Sequence, residues 1–193
     1  MDSVYSKPQT IIGIGASAGG LKALQAFVSG LQPCEHCCFL VAQHLSANHT
    51  SNMVGLLAKY SAIPVVTATD GTLLAANTIY VCPENTNMSI DDGCIRLTNP
   101  ESDQHAIPSI NVLFQSLATE FQDKAVGVIL TGVGSDGAEG LNCIKANRGI
   151  TVVQDPQSAQ YDGMVKASLT ATEIDHISSP QKIGKLLSSI TCE

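Results

Sequence analysis

The sequence has no tryptophan and only two arginines, Arg96 and Arg148, among 193 residues. With a net charge of −7, this scarcity of guanidinium excludes an extended nucleic-acid surface and leaves only a local basic patch around Lys22 or Lys166. Charged residues are also few, at 14% against 44% hydrophobic, a globular composition and not a disordered one. No apolar run reaches the length of a membrane span, so membrane insertion is not expected. Met1 to Thr10 is polar and lacks the apolar stretch of a secretion signal. Seven cysteines, an odd number without a secretory feature, indicate reduced thiols and a cytoplasmic protein. The length fits one domain, residues 1–193, with a sizeable core.

What is present is a succession of short apolar runs separated by amphipathic stretches. Thr10 to Gly15, Cys38 to Gln43, Ala125 to Leu130 and Ile150 to Val153 predict buried strands, and Ile63 to Thr67 and Thr78 to Cys82 are further strand candidates. Leu21, Leu24, Val28 and Leu31 recur at helical spacing before Pro33 stops the helix. Further helices are predicted over Ser51 to Tyr60 (Met53, Val54 and Leu57 inward), over Ile110 to Phe121 (Val112, Leu113, Leu117 and Phe121 inward) and over Asp136 to Asn147 (Ala138, Leu141 and Ile144 inward). A closing helix runs from Pro180 to Ile190. Asn87 to Ile90 and Ile95 to Thr98 flank Asp91-Asp92-Gly93, a hairpin signal. The class is therefore α/β: a doubly wound, mainly parallel sheet flanked by helices, with a small antiparallel hairpin.

Ligands of such sheets bind beyond the carboxyl ends of the strands. Ser17 follows the first strand, His44 the second, and Asp136 the strand at Ala125 to Leu130. A serine hydroxyl needs a base to take its proton, and an imidazole base needs a carboxylate to fix its tautomer. Ser17, His44 and Asp136 can supply these roles. Gly15, Gly19 and Gly20 permit a tight strand-to-helix turn that exposes the hydroxyl and presents backbone N–H groups to an oxyanion. The chain order Ser, His, Asp and the absence of Gly-x-Ser-x-Gly disfavour the α/β-hydrolase arrangement.

Plainer readings exist for each part. Gly13-x-Gly15-x-x-Ala18 also fits a dinucleotide fingerprint, although the second strand ends in Gln43-His44 and not in an acidic residue. Ser17 could cap a helix, His44 could be a partly buried histidine bonded to backbone, and Asp136 could cap the helix that follows it. Cys34-Glu35-His36-Cys37-Cys38 holds one C-x-x-C without a second pair at zinc spacing, which favours free thiols over a metal site. His49, His105 and His176 carry no motif, and Met164 suits packing. A non-catalytic module that binds receptor helices or signalling partners through the same fold is the alternative to an enzyme.

Taken together, the ordered motifs resemble the catalytic domain of the chemotaxis protein-glutamate methylesterase family, CheB. They are Ile14 to Gly20, Gln43-His44-Leu45, Leu130 to Ala138, Gln154-Asp155-Pro156 with Ser158-Ala159, and Gly163-Met164. The resemblance covers nearly the whole chain. It implies Ser17 as nucleophile, His44 as base, Asp136 as orienting acid, and backbone oxyanion donors at Ala18 and Val133, with no metal or organic cofactor. It implies hydrolysis of glutamate methyl esters on a methylated chemoreceptor or similar signalling protein, with deamidation of receptor glutamines as related chemistry. Ala18, Val165 and Ala106-Ile107 depart from the usual family residues, and Ser17 to Gly20, Gly134 to Gly137 and Tyr161 to Met164 look more like the branch fused to methyltransferase and kinase modules. A typical member begins with a receiver domain. Here only a short polar lead precedes the first strand, so the chain is expected to be uninhibited in cis or regulated by a separate partner.

Overall fold

The computed structural model of the chain describes residues 8–44, 52–101, 104 and 106–190. Its centre is a seven-stranded sheet. The strands are β1 (Thr10–Ala16), β2 (Cys37–Gln43), β3 (Val65–Thr67), β4 (Ile79–Val81), β7 (Ala125–Ile129), β8 (Ile150–Gln154) and β9 (His176–Ser178). Their order is β3-β4-β2-β1-β7-β8-β9, and every neighbouring pair is parallel. β5 (Asn87–Asp91) and β6 (Cys94–Thr98) form a separate antiparallel hairpin. β2 and β7 bury every residue, as strands covered on both faces do.

Among the described residues six α-helices complete the layers: α1 (Gly20–Gly30), α2 (Met53–Ala58), α3 (Ile110–Phe121), α4 (Ala138–Ala146), α5 (Gly163–Ala171) and α6 (Pro180–Ile190). Side chains alternate across β1. Ile12 and Ile14 join Phe27 and Val28 of α1 and Ile183 and Leu187 of α6 in one core. Ile11 joins Leu113, Phe114 and Leu117 of α3, Leu141 of α4 and Met88 of the hairpin in the other. A fully buried side chain such as Phe114 stabilises the fold by about 1.5–3 kcal/mol.

Gly13 and Gly15 lie under α3. A Cβ at Gly13 would meet Leu117 Cδ1 at 2.7 Å, and one at Gly15 would meet Ile110 Cγ2 at 2.5 Å. The Gly-x-Gly spacing therefore serves helix–sheet packing, whatever its likeness to a dinucleotide fingerprint.

Several sequence expectations shift. Val112 is exposed, and the inward face of α3 is Ile110, Leu113, Phe114, Leu117 and Ala118, with Phe121 only partly buried. At about 100° per residue, position 112 turns away from the stripe through 110, 113 and 117. α4 begins at Ala138 rather than Asp136, because Gly134 and Gly137 hold φ values of 88° and 89° that no helix contains. The strand expected from Ile63 begins at Val65, although Ile63 itself is buried. α5 and β9 have no counterpart in the sequence reading. Met1 to Lys7, Leu45, His49, Ser51 and His105 lie outside the described residues. Among the described residues no helix is long and apolar enough to cross a membrane.

The strand order reverses direction between β1 and β7. Connections leaving these two strands diverge, and the crevice between them is where doubly wound sheets accommodate ligands.

Candidate active site

Three strand ends build the site. The ladder continues one step past β1 and β2, with His44 N–H donating to Ala16 O at 2.9 Å. On the other side, Leu130 N–H donates to Gly15 O at 2.9 Å and Ser17 N–H to Thr131 O at 3.0 Å. Ser17 and His44 are thereby fixed at the same edge, next to the loop from Thr131 to Gly137.

Ser17 opens a turn in which Gly20 N–H donates to Ser17 O at 2.8 Å. Gly19 takes φ 74° there, a left-handed conformation that favours glycine. The N-cap of α1 is Gly19, without a side-chain cap bond, so the Ser17 hydroxyl is not a helix cap. It lines a cleft of about 730 Å³ together with Ala18, His44, Ile107, Val133 and Asp136.

Asp136 is the most heavily bonded group in the cleft. His44 Nε2 and the N–H of Ile110 both donate to Oδ2 at 2.8 Å. Asn111 N–H and Gly137 N–H donate to Oδ1 at 3.1 and 2.9 Å. Two of these donors belong to the first turn of α3, where free N–H groups and the helix dipole favour an anion. Asp136 therefore sits at the start of α3, and α4, which follows it, has Gly137 at its N-cap without a side-chain cap bond. Burial pushes its pKa up, but the His44 bond and the N–H groups of Ile110 and Asn111 bring it below the usual carboxylate range. The ionised carboxylate only accepts, so His44 Nε2 carries the proton and Nδ1 is the basic nitrogen. Both side chains keep slight access to solvent, 14% for His44 and 13% for Asp136. No hydrogen bond joins Ser17 to His44 among the described residues; the cleft holds the pair without closing the contact.

Asn111 answers Asp136 across the helix pair. Its Oδ1 accepts from Gly137 N–H at 3.0 Å and Gly140 N–H at 2.8 Å, bracing the start of α4. Thr131 ties three loops: its Oγ1, with one proton to donate, lies 3.1 Å from Ala18 O and 3.0 Å from Tyr161 O, and its N–H donates to Gln154 Oε1 at 2.8 Å. Gln154 thus earns its motif position by holding the Thr131 backbone. Gly132 is packed so closely that a Cβ there would lie 2.1 Å from Met164 Sδ and 2.8 Å from Ser17 Cβ. The N–H groups of Ala18 and Val133 donate to no acceptor among the described residues, and both residues line the cleft. Gln43, Asn111, Thr131 and Gln154 are not singled out as site residues by the sequence; the one signal is that Gln43, Thr131 and Gln154 stand within the quoted motifs.

The cysteine stretch has a different character. Burial pushes the Cys38 thiol up, and Cys82 is pushed up to about 11, so both stay protonated at neutral pH.

Comparisons with known proteins bear on the family and the fold. The CheB methylesterase family model matches residues 12–187. A relative from Anaeromyxobacter dehalogenans, named protein-glutamate methylesterase/protein-glutamine glutaminase 2, is 33% identical over 94% of this chain and 53% of its own length. A Leptospira interrogans protein, which bears that pair of activities in its name provisionally, is 35% identical over 90% of both chains. The chain thus spans most of one relative and about half of the other. The crystal structure of the Thermotoga maritima CheB methylesterase catalytic domain superposes with a TM-score of 0.86 at 24% identity, covering 94% of this chain and 98% of that one. That likeness establishes the fold. With the family match over nearly its whole length, the chain belongs to the CheB methylesterase family.

Proposed function

We propose that the chain is a serine hydrolase that removes methyl groups from glutamate γ-methyl esters of a methylated chemoreceptor or similar signalling protein in the cytoplasm. The observation that carries this reading is the bond from His44 Nε2 to Asp136 Oδ2 in the cleft that Ser17 lines. The names borne by its relatives support the ester and amide substrates.

In this mechanism His44 Nδ1 takes the Ser17 proton as Oγ attacks the ester carbonyl. The N–H groups of Ala18 and Val133 receive the developing oxyanion. The imidazolium, steadied by Asp136, then protonates the departing methoxide to methanol. Water, deprotonated by His44, attacks the acyl-serine and releases a glutamate carboxylate. With a glutamine side chain the same sequence releases ammonia. Among the described residues that line the cleft, Asp136 carries the negative charge, so the anionic product faces it, which favours departure.

Methanol release from methylated receptor tests the reading. Wild type should turn over and label at Ser17 with a fluorophosphonate, whereas Ser17→Ala should fold normally and fall to background in both assays. Full turnover in Ser17→Ala removes Ser17 from the chemistry.

A further inference from the structure

Gln43 is buried beside the site and takes no part in the proton transfers. The β1–β2 ladder ends at the bond from His44 N–H to Ala16 O, 2.9 Å, and the two chains then part toward the cleft. Across that gap Gln43 Nε2 donates to Ser17 O and to His44 O, each at 2.8 Å. Two carbonyl oxygens at one atom fix the orientation of the amide, because its own oxygen would be repelled there. Oε1 is thereby turned the other way. It is buried without a hydrogen-bond partner among the described residues and sits where a Cβ on Gly20 would be only 2.0 Å away.

An unpaired buried acceptor destabilises a fold. A methionine or leucine of similar size would avoid that penalty at a position only 8% exposed, so packing alone does not favour glutamine. What glutamine adds is a grip on both chain ends that carry the nucleophile and the base. We infer that Gln43 is a positioning residue: its amide sets the spacing of Ser17 and His44 through their carbonyl groups. This rests on the proposed roles of those two residues.

The test compares wild type with Gln43→Met, Gln43→Glu and Gly20→Ala, measuring methanol release, fluorophosphonate labelling at Ser17 and thermal melting. Gln43→Met removes the unpaired acceptor but also the donor to His44 O, so it should stay folded and melt close to wild type, lose roughly 100-fold in kcat and labelling rate, as expected for a displacement of about 1 Å, and keep KM within about twofold. In Gln43→Glu the introduced carboxyl can donate only when protonated, so its activity relative to wild type should rise as the pH is lowered. Gly20→Ala drives a Cβ into the Gln43 amide, an overpacking that costs about 1–3 kcal/mol, so it should melt lower yet stay folded and lose kcat well beyond its unfolded fraction. If Gln43→Met does not fold, Gly20→Ala decides. Wild-type kcat and labelling in the folded variants, or losses that only follow the unfolded fraction with a flat Gln43→Glu ratio, overturn the inference. Absence of both turnover and Ser17 labelling in wild type would instead overturn the hydrolase reading.

Discussion

The two ends of the sheet combine burial and hydrogen bonding in different proportions, the amino end having fewer long-range side-chain bonds, such as Gly93 N–H to Glu120. At the carboxyl end, polar side chains reach the backbone of loops and helix starts far away in sequence: Gln43 to Ser17, Thr131 to Ala18, Gln154 to Thr131, Asp136 to Ile110 and Asn111 to Gly140. At the amino end, near Pro8 before β1 and Phe121 at the end of α3, an apolar cavity of about 500 Å³ is lined by Leu73, Leu74 and Tyr80. Hydrophobic burial is non-directional and sets which faces meet. Hydrogen bonds are directional and fix where a loop atom stands to a few tenths of an ångström. Substitutions at the carboxyl end should therefore damage rate more than stability, and substitutions at the amino end should leave the rate alone.

The largest effect belongs to Asp136→Asn. An amide facing His44 presents N–H to Nε2, which favours the tautomer with the proton on Nδ1 and leaves no base toward Ser17. Loss of kcat should be on the order of 10⁴-fold, as for the equivalent change in other triads. The same variant reads the electrostatics. Asp136 has a pKa below its ordinary value of 3.8, despite burial, through the His44 and α3 N–H bonds. A carboxyl depressed in the folded state stabilises fully above its unfolded pKa and loses that contribution as the pH falls through the lower folded value. The gap in melting temperature between wild type and Asp136→Asn should therefore be wide at about pH 7 and narrow below about pH 4. A gap that is constant with pH would show that the carboxylate contributes nothing through its charge.

Gly132→Ala should come next. The added Cβ meets Met164 Sδ, which can swing aside, and Ser17 Cβ, which cannot without moving the nucleophile. Overpacking of this kind costs about 1–3 kcal/mol, and displacement of Ser17 should lower kcat roughly 100-fold. Thermal melting and kcat measured together check both parts. A fall in stability with unchanged kcat would mean that the loop yields and Ser17 stays, which breaks the contrast between the two ends.

The same contrast explains what the sequence made legible. β1, β2, β7 and β8 are readable because a parallel strand buried on both faces is an unbroken apolar run. The serine, the histidine and the aspartate are readable because each follows such a run. β9 is three residues long and half exposed, and α5 has no side-chain cap at its start, so neither announces itself. Gln43, Asn111 and Thr131 act by folding back onto backbone atoms, which leaves no periodicity to detect. Gly13 and Gly15 show the converse difficulty, since one spacing suits a phosphate-binding turn and a close helix equally well. Their neighbours Ile110 and Leu117, about 100 residues away in the chain, decide it.

The smallest effect should be at the amino end. Leu73 is 69% exposed and pairs with Cys94 through one isolated antiparallel bridge. Bridge bonds are made by backbone, so Leu73→Ser keeps them and removes only apolar atoms that already meet water. Stability should change by no more than about 0.5 kcal/mol, and kcat should be unchanged, because no clamp runs from this cavity to Ser17, His44 or Asp136 among the described residues. Melting and methanol release measure the two quantities. A fall in kcat without a fall in melting temperature would mean that the apolar end is coupled to the catalytic edge through the strands themselves, and the separation of burial from positioning would fail.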